Sequence, residues 1–152
     1  MGKRGRDKPK HVKIDASLVP KREKQPRATS DSSENLPPTW RFSIIDLEGP
    51  WSWTKVDWAD VKARLGKFEA GTWGDIRRAQ HGKSGGSNSH AVETTALCAE
   101  AQKRLRTLGH DDAATLFSLR LDGLHRVWGI KDQQCLRLLW WDPNHEVCPS
   151  KR

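Results

Sequence analysis

The chain has 152 residues, with 27 Lys or Arg against 19 Asp or Glu, a formal net charge of +8 and a pI near 9.7. At 35% hydrophobic residues not all of it can fold into a core, and the cationic surplus favours an anionic partner such as nucleic acid. No run approaches the ~18 apolar residues of a membrane span, and the basic N-terminus lacks the apolar segment of a secretory signal, so a cytoplasmic protein with no membrane partner is expected. Cys98, Cys135 and Cys148 are odd in number and widely spaced. No disulfide framework or metal motif follows from them.

Residues 1–38 read as a disordered basic tail, and 39–152 as one domain. Met1 to Arg27 holds ten Lys/Arg, Lys3, Arg4 and Arg6 among them, against three Asp/Glu. Few apolar residues and many like charges cannot offset the entropy of ordering. Two roles stay open for the tail: an arm that grasps RNA, and a solubilising extension.

Trp40 to Leu47 reads as a strand, broken at Glu48-Gly49-Pro50. Asp57 is the candidate N-cap of a helix whose apolar stripe is Trp58, Val61, Leu65 and Phe68, with Gly71 at its end. Thr72-x-x-Asp75 is a capping-box-like start for a second short helix, with Trp73 and Ile76 facing the core. His81 to His90 reads as a flexible loop. A third helix is predicted from about Ala91 to Leu108, with Leu97, Ala101, Leu105 and Leu108 as its stripe and Gly109 at C′. Eight Trp and no Tyr are present. Trp58, Trp73 and Trp128 read as core; for Trp51 and Trp53, in a loop, the core reading leads and partner contact stays open.

The last third carries three apolar runs separated by turns. Phe117, Leu119 and Leu121 alternate with polar residues up to Asp122-Gly123, a two-residue hairpin signal. Val127 to Ile130 is the second run, and Lys131 to Gln134 the second turn. Cys135 to Trp141 is the third run. A three-strand antiparallel meander follows. Alternation puts Trp140 and Trp141 on opposite faces.

The segments SLRLDG, HRVWGI and LRLLWWDPNHEV resemble the C-terminal half of the RelE/ParE toxin superfamily. In that pattern arginine-bearing strands precede a histidine or arginine near the C-terminus. The resemblance covers roughly the last 40 residues. It implies an α+β, RelE-like fold: a small antiparallel sheet, made of the N-terminal strand and the C-terminal meander, packed against two or three helices. It also implies the toxin of a toxin-antitoxin pair, an endoribonuclease acting on RNA or on the ribosome and restrained by a small antitoxin protein. No metal or other cofactor is implied.

Residue by residue, Arg126 matches the family arginine that contacts phosphate, and His145 falls where relatives carry an acid or base. Arg120 and Arg137 would position the RNA backbone. The structural alternatives are that Arg126 braces the hairpin through Asp122, that Arg137 is solvated, and that His145 caps the turn after Asp142-Pro143. His125 reads as a surface residue on the opposite face. Where many active relatives carry a tyrosine, this chain has Cys148. The ParE branch uses the same scaffold without cleaving RNA, so a noncatalytic protein- or nucleic-acid-binding module is the alternative.

Overall fold

The structure, a computed structural model, describes residues 32–79 and 89–150. The strands are β1 (Thr39–Arg41), β2 (His90–Glu93), β3 (Thr115–Arg120), β4 (Arg126–Asp132) and β5 (Cys135–Asp142). Helices α1 (Trp58–Glu69) and α2 (Trp73–Arg78) lie between β1 and β2, and α3 (Ala99–Leu108) between β2 and β3. The strands form a mixed sheet in the order β1-β5-β4-β3-β2. Among the described residues no helix is long and apolar enough to cross a membrane.

Both sheet faces are covered, because β3, β4 and β5 carry apolar residues on both. On one face Phe117, Leu119, Val127, Leu136 and Leu138 pack against Val61 and Leu65 of α1 and Trp73 and Ile76 of α2. On the other, Leu116, Trp128 and Trp140 pack against Ala101 and Leu105 of α3, with Leu97, Trp51 and Val147. Buried indoles need a hydrogen-bond acceptor. Trp53 Nε1 donates to the Leu139 carbonyl (3.1 Å), Trp73 Nε1 to the Gln134 carbonyl (2.9 Å) and Trp140 Nε1 to Asp46 (3.1 Å).

The local signals that worked are chemical ones. Asp57 accepts from the N–H groups of Ala59 and Asp60 and starts α1. Thr72 and Asp75 form the reciprocal capping box of α2. Gly109, at φ 76°, ends α3. A bulge in β5 at Trp128/Gly129 displaces Leu139 from the register and brings the Arg137 carbonyl against Gly129. A Cβ there would sit 2.4 Å from that oxygen.

Five expectations need correction. The sheet is not wholly antiparallel: β1 pairs in parallel with β5, Trp40 beside Leu136. β1 ends at Arg41, because the chain then turns to bring Asp46 into the interior. There Asp46 takes both Arg104 Nε and Nη2 at 2.8 Å. The third helix starts at Ala99, not Ala91. His90–Glu93 instead forms an edge strand whose hydrogen bonds come from β3, which no local signal announces. Trp58 is exposed (46%), stacked on Trp53 rather than covered; Trp51 and Trp53 are buried, as the core reading for them had it. Finally, Asp122-Gly123 does not close a two-residue hairpin. The connection runs Leu121 to His125, closed by Leu121 N–H on the His125 carbonyl (3.0 Å), and Gly123 lacks the positive φ such a turn needs.

Residues 32–38, assigned above to the tail, include a 3₁₀ turn, Ser32–Asn35, followed by the Leu36 carbonyl accepting from Trp73 N–H (3.0 Å). The tail residues 1–31 and most of the 81–90 loop lie outside the described residues.

Candidate functional site

The polar residues of the meander gather at one end of the sheet. β3 ends on Arg120, which pairs with Arg126 at the start of β4, and Arg126 pairs with Asp142 at the end of β5. Paired residues share a face, so this row lies on the α3 side, in line with Ser118, Trp128 and Trp140. One row back, Ser118 pairs with His90, the first residue of β2. α3 packs over Leu116, Trp128 and Trp140, the apolar neighbours of this row on the same face.

Arg126 is buried (7%). Its Nη1 donates to the carbonyls of Asp122 (3.0 Å), Gly123 (2.9 Å) and His125 (3.2 Å). So Arg126 does brace the hairpin, through main-chain oxygens and not through the Asp122 carboxylate. That carboxylate is held by Arg64 of α1 and by His125 Nδ1 (2.6 Å). These partners hold its pKa down to about 2, against its burial. Among the described residues no carboxylate ion-pairs with Arg126 or Arg120. Burial, and then the positive charge of Arg120, press the Arg126 guanidinium below its ordinary value, with Asp142 and Asp122 opposing.

Asp142 is fully buried and organises the C-terminal loop. Its carboxylate accepts from Glu146 N–H (2.9 Å), Val147 N–H (3.1 Å) and Trp128 Nε1 (3.1 Å). Within this clamp His145 stands at φ 56°, an uncommon conformation for a residue with a side chain. His145 is half-buried. Burial lowers its pKa below 6.5 first. The charges of Arg126, Arg120 and His90 add to this, while Asp142 opposes them. A neutral imidazole is thereby favoured next to two guanidinium groups.

Four groups therefore share the field of one site: Arg120, Arg126, His145 and His90. The first three were expected from the sequence. His90 was assigned to the loop and passed over, because only the register of β2 against β3 places it here. Arg137 is not part of the site. It pairs with Ile130, four residues along β4 from Arg126, or about 13 Å away at strand spacing. Lys3, Arg4 and Arg6 lie outside the described residues. His125 is not a plain surface residue: it contacts Asp122 and packs on Trp141 (centroids 5.9 Å), on the α1 side. A cleft of about 500 Å³ on that side is lined by Arg64, Lys67, Leu121 and Arg120, so Arg120 borders both faces of the hairpin.

Among the described residues no group of three or more His, Cys, Asp or Glu is placed to hold a metal ion. Two cations and two imidazoles can bind a phosphodiester and move protons on it. No protein-family model matches the chain, and no curated protein or solved structure matches it.

Proposed function

We propose that this protein is a metal-independent endoribonuclease on a RelE-like scaffold, the toxin of a toxin-antitoxin pair. The observation that carries the reading is the Arg120–Arg126 cross-strand pair with His145 held beside it. Like charges directly opposite on a sheet are destabilising. Among the described residues the two arginines pair with main-chain carbonyls and with no carboxylate, which leaves their charge to attract an anion, and the backbone phosphate of RNA is the anion that a strongly basic chain would meet most often. His145, kept neutral, takes the proton of the ribose 2′-hydroxyl. Arg126 and Arg120 offset the charge that grows on the phosphate oxygens.

The test is incubation of the purified protein with messenger RNA, with and without ribosomes, in the presence of a chelator. Cleavage that survives the chelator and falls about 10²–10³-fold in Arg126→Ala supports the reading, the usual size for one lost charge-stabilising donor. Undiminished cleavage by Arg126→Ala, or its loss with chelator, contradicts it.

One observation favours the alternative, a noncatalytic protein-binding module. Phe42 and Trp58 are exposed (47% and 46%) beside Trp40 and Lys62, lining a groove of about 330 Å³ on α1. Growth arrest that persists in Arg126→Ala and is abolished by Trp58→Ala would move the weight there.

A further inference from the structure

We propose that His90 is the second catalytic imidazole, the general acid that protonates the 5′-oxygen leaving group while His145 acts as the base. This rests on the ribonuclease reading above and adds to it the residue that completes the proton transfers. Cleavage of a phosphodiester by its own 2′-hydroxyl needs a base at O2′ and an acid at O5′, on opposite sides of the phosphorus. The sequence offered one candidate, and the fold supplies another from a strand that only pairing with β3 creates.

The placement is specific. His90 pairs with Ser118, and Arg120 is two residues further along β3, so His90 and Arg120 stand on one face in adjacent rows. His145 lies three residues past Asp142, the β5 end of this row, in the loop that Asp142 holds through Glu146 and Val147 N–H. The order across the sheet is therefore imidazole, guanidinium pair, imidazole. His90 is exposed, as a residue that meets a polymer must be. Its neighbour Ser89 fixes the approach, with Oγ accepting from Arg120 N–H at 3.0 Å.

The step balances without a co-reactant. His145 removes the proton from O2′, and the freed electron pair forms the O2′–P bond. The P–O5′ bond breaks, its electron pair leaves on O5′, and the His90 imidazolium donates a proton there. The products are a 2′,3′-cyclic phosphate and a 5′-hydroxyl. One histidine ends protonated and the other neutral, and solvent exchanges the two states.

The test uses the full chain and an RNA oligonucleotide containing a cut site mapped for the wild-type protein, made with oxygen or sulfur at the bridging 5′ position of that site. A thiolate leaves without protonation. His90→Ala is expected to lower cleavage of the oxygen substrate about 10²–10⁴-fold, and to cleave the sulfur substrate within about tenfold of wild type. His145→Ala is expected to be slow on both. Because His90 is exposed and pairs through its backbone, the variant should keep the wild-type melting temperature. Wild-type cleavage with an undiminished His90→Ala overturns this inference alone, as does an equal loss on both substrates. A wild-type protein that cuts no RNA in the mapping step, with or without ribosomes, overturns the ribonuclease reading and this inference together.

Discussion

His145 reports most directly on whether the cluster works as a site. In the neutral state it can accept a proton, and its pKa is pushed below 6.5 by burial and by the charges of Arg126, Arg120 and His90, against Asp142. If His145 is the base, the acid limb of the kcat/KM profile should lie below pH 6.5. An acid limb well above 6.5 would assign the base to another group. The loop conformation belongs to the same argument. His145, at φ 56°, precedes Glu146 and Val147, whose N–H groups donate to Asp142, so Asp142→Asn should release the loop and lower cleavage, with a smaller effect on melting temperature. At this scale the resemblance of SLRLDG, HRVWGI and LRLLWWDPNHEV to the RelE/ParE pattern named Arg120, Arg126 and His145 as candidates, and the register places the two arginines opposite each other. His90 was hidden because its place depends on a partner strand 28 residues away, Ser118.

Elements hold the site through a few buried contacts. Asp46 accepts from Arg104 of α3, from Trp140 Nε1 and from the N–H groups of Glu48 and Gly49, and so ties α3 and the loop after β1 to β5. These hydrogen bonds outweigh its burial and hold its carboxyl far below the usual carboxylate range. The folded-state pKa is depressed, so this contribution is full above pH 3.8 and is lost as pH falls further. Asp46→Ala should cost about 3–5 kcal/mol, since it strands a guanidinium and a buried indole N–H. Urea unfolding at neutral pH measures this, and a loss under about 1 kcal/mol would show that the pair is dispensable. Gly129→Ala would drive a methyl into the Arg137 carbonyl at the bulge and should destabilise by about 1–3 kcal/mol. Helix caps and the C′ glycine were legible because their chemistry is local. β1 was misjudged because Asp46 was read as part of a strand running to Leu47, and nothing near it in sequence reveals Arg104, 58 residues on. β2 was misjudged because Ala91 and Glu93 suit a helix as well as a strand, and only an edge of the sheet decides between them.

The whole molecule joins a domain with one cationic corner to a strongly basic N-terminal segment. Ten Lys/Arg against three Asp/Glu between Met1 and Arg27 hold most of the net +8. Deleting residues 1–31 should flatten the salt dependence of RNA binding, since fewer counterions are released, and should leave the melting temperature unchanged. An unchanged slope would assign the affinity to the Arg120–Arg126 face. The α+β class was readable from the meander and the two capped helices, whereas the three-layer arrangement was not. It depends on β3, β4 and β5 being apolar on both faces, which sends α1 and α2 to one side and α3 to the other. On the function proposed above, this corner turns a ribose hydroxyl on its own phosphate. The measurement that tests this most directly is cleavage of an RNA oligonucleotide and of the same oligonucleotide with a single 2′-deoxy nucleotide at the cut site, with the new ends mapped. Cleavage of the first to a 2′,3′-cyclic phosphate and a 5′-hydroxyl, and none of the second, is the expected result. Cutting of the deoxy substrate at that site, or ends bearing a 5′-phosphate, would contradict it.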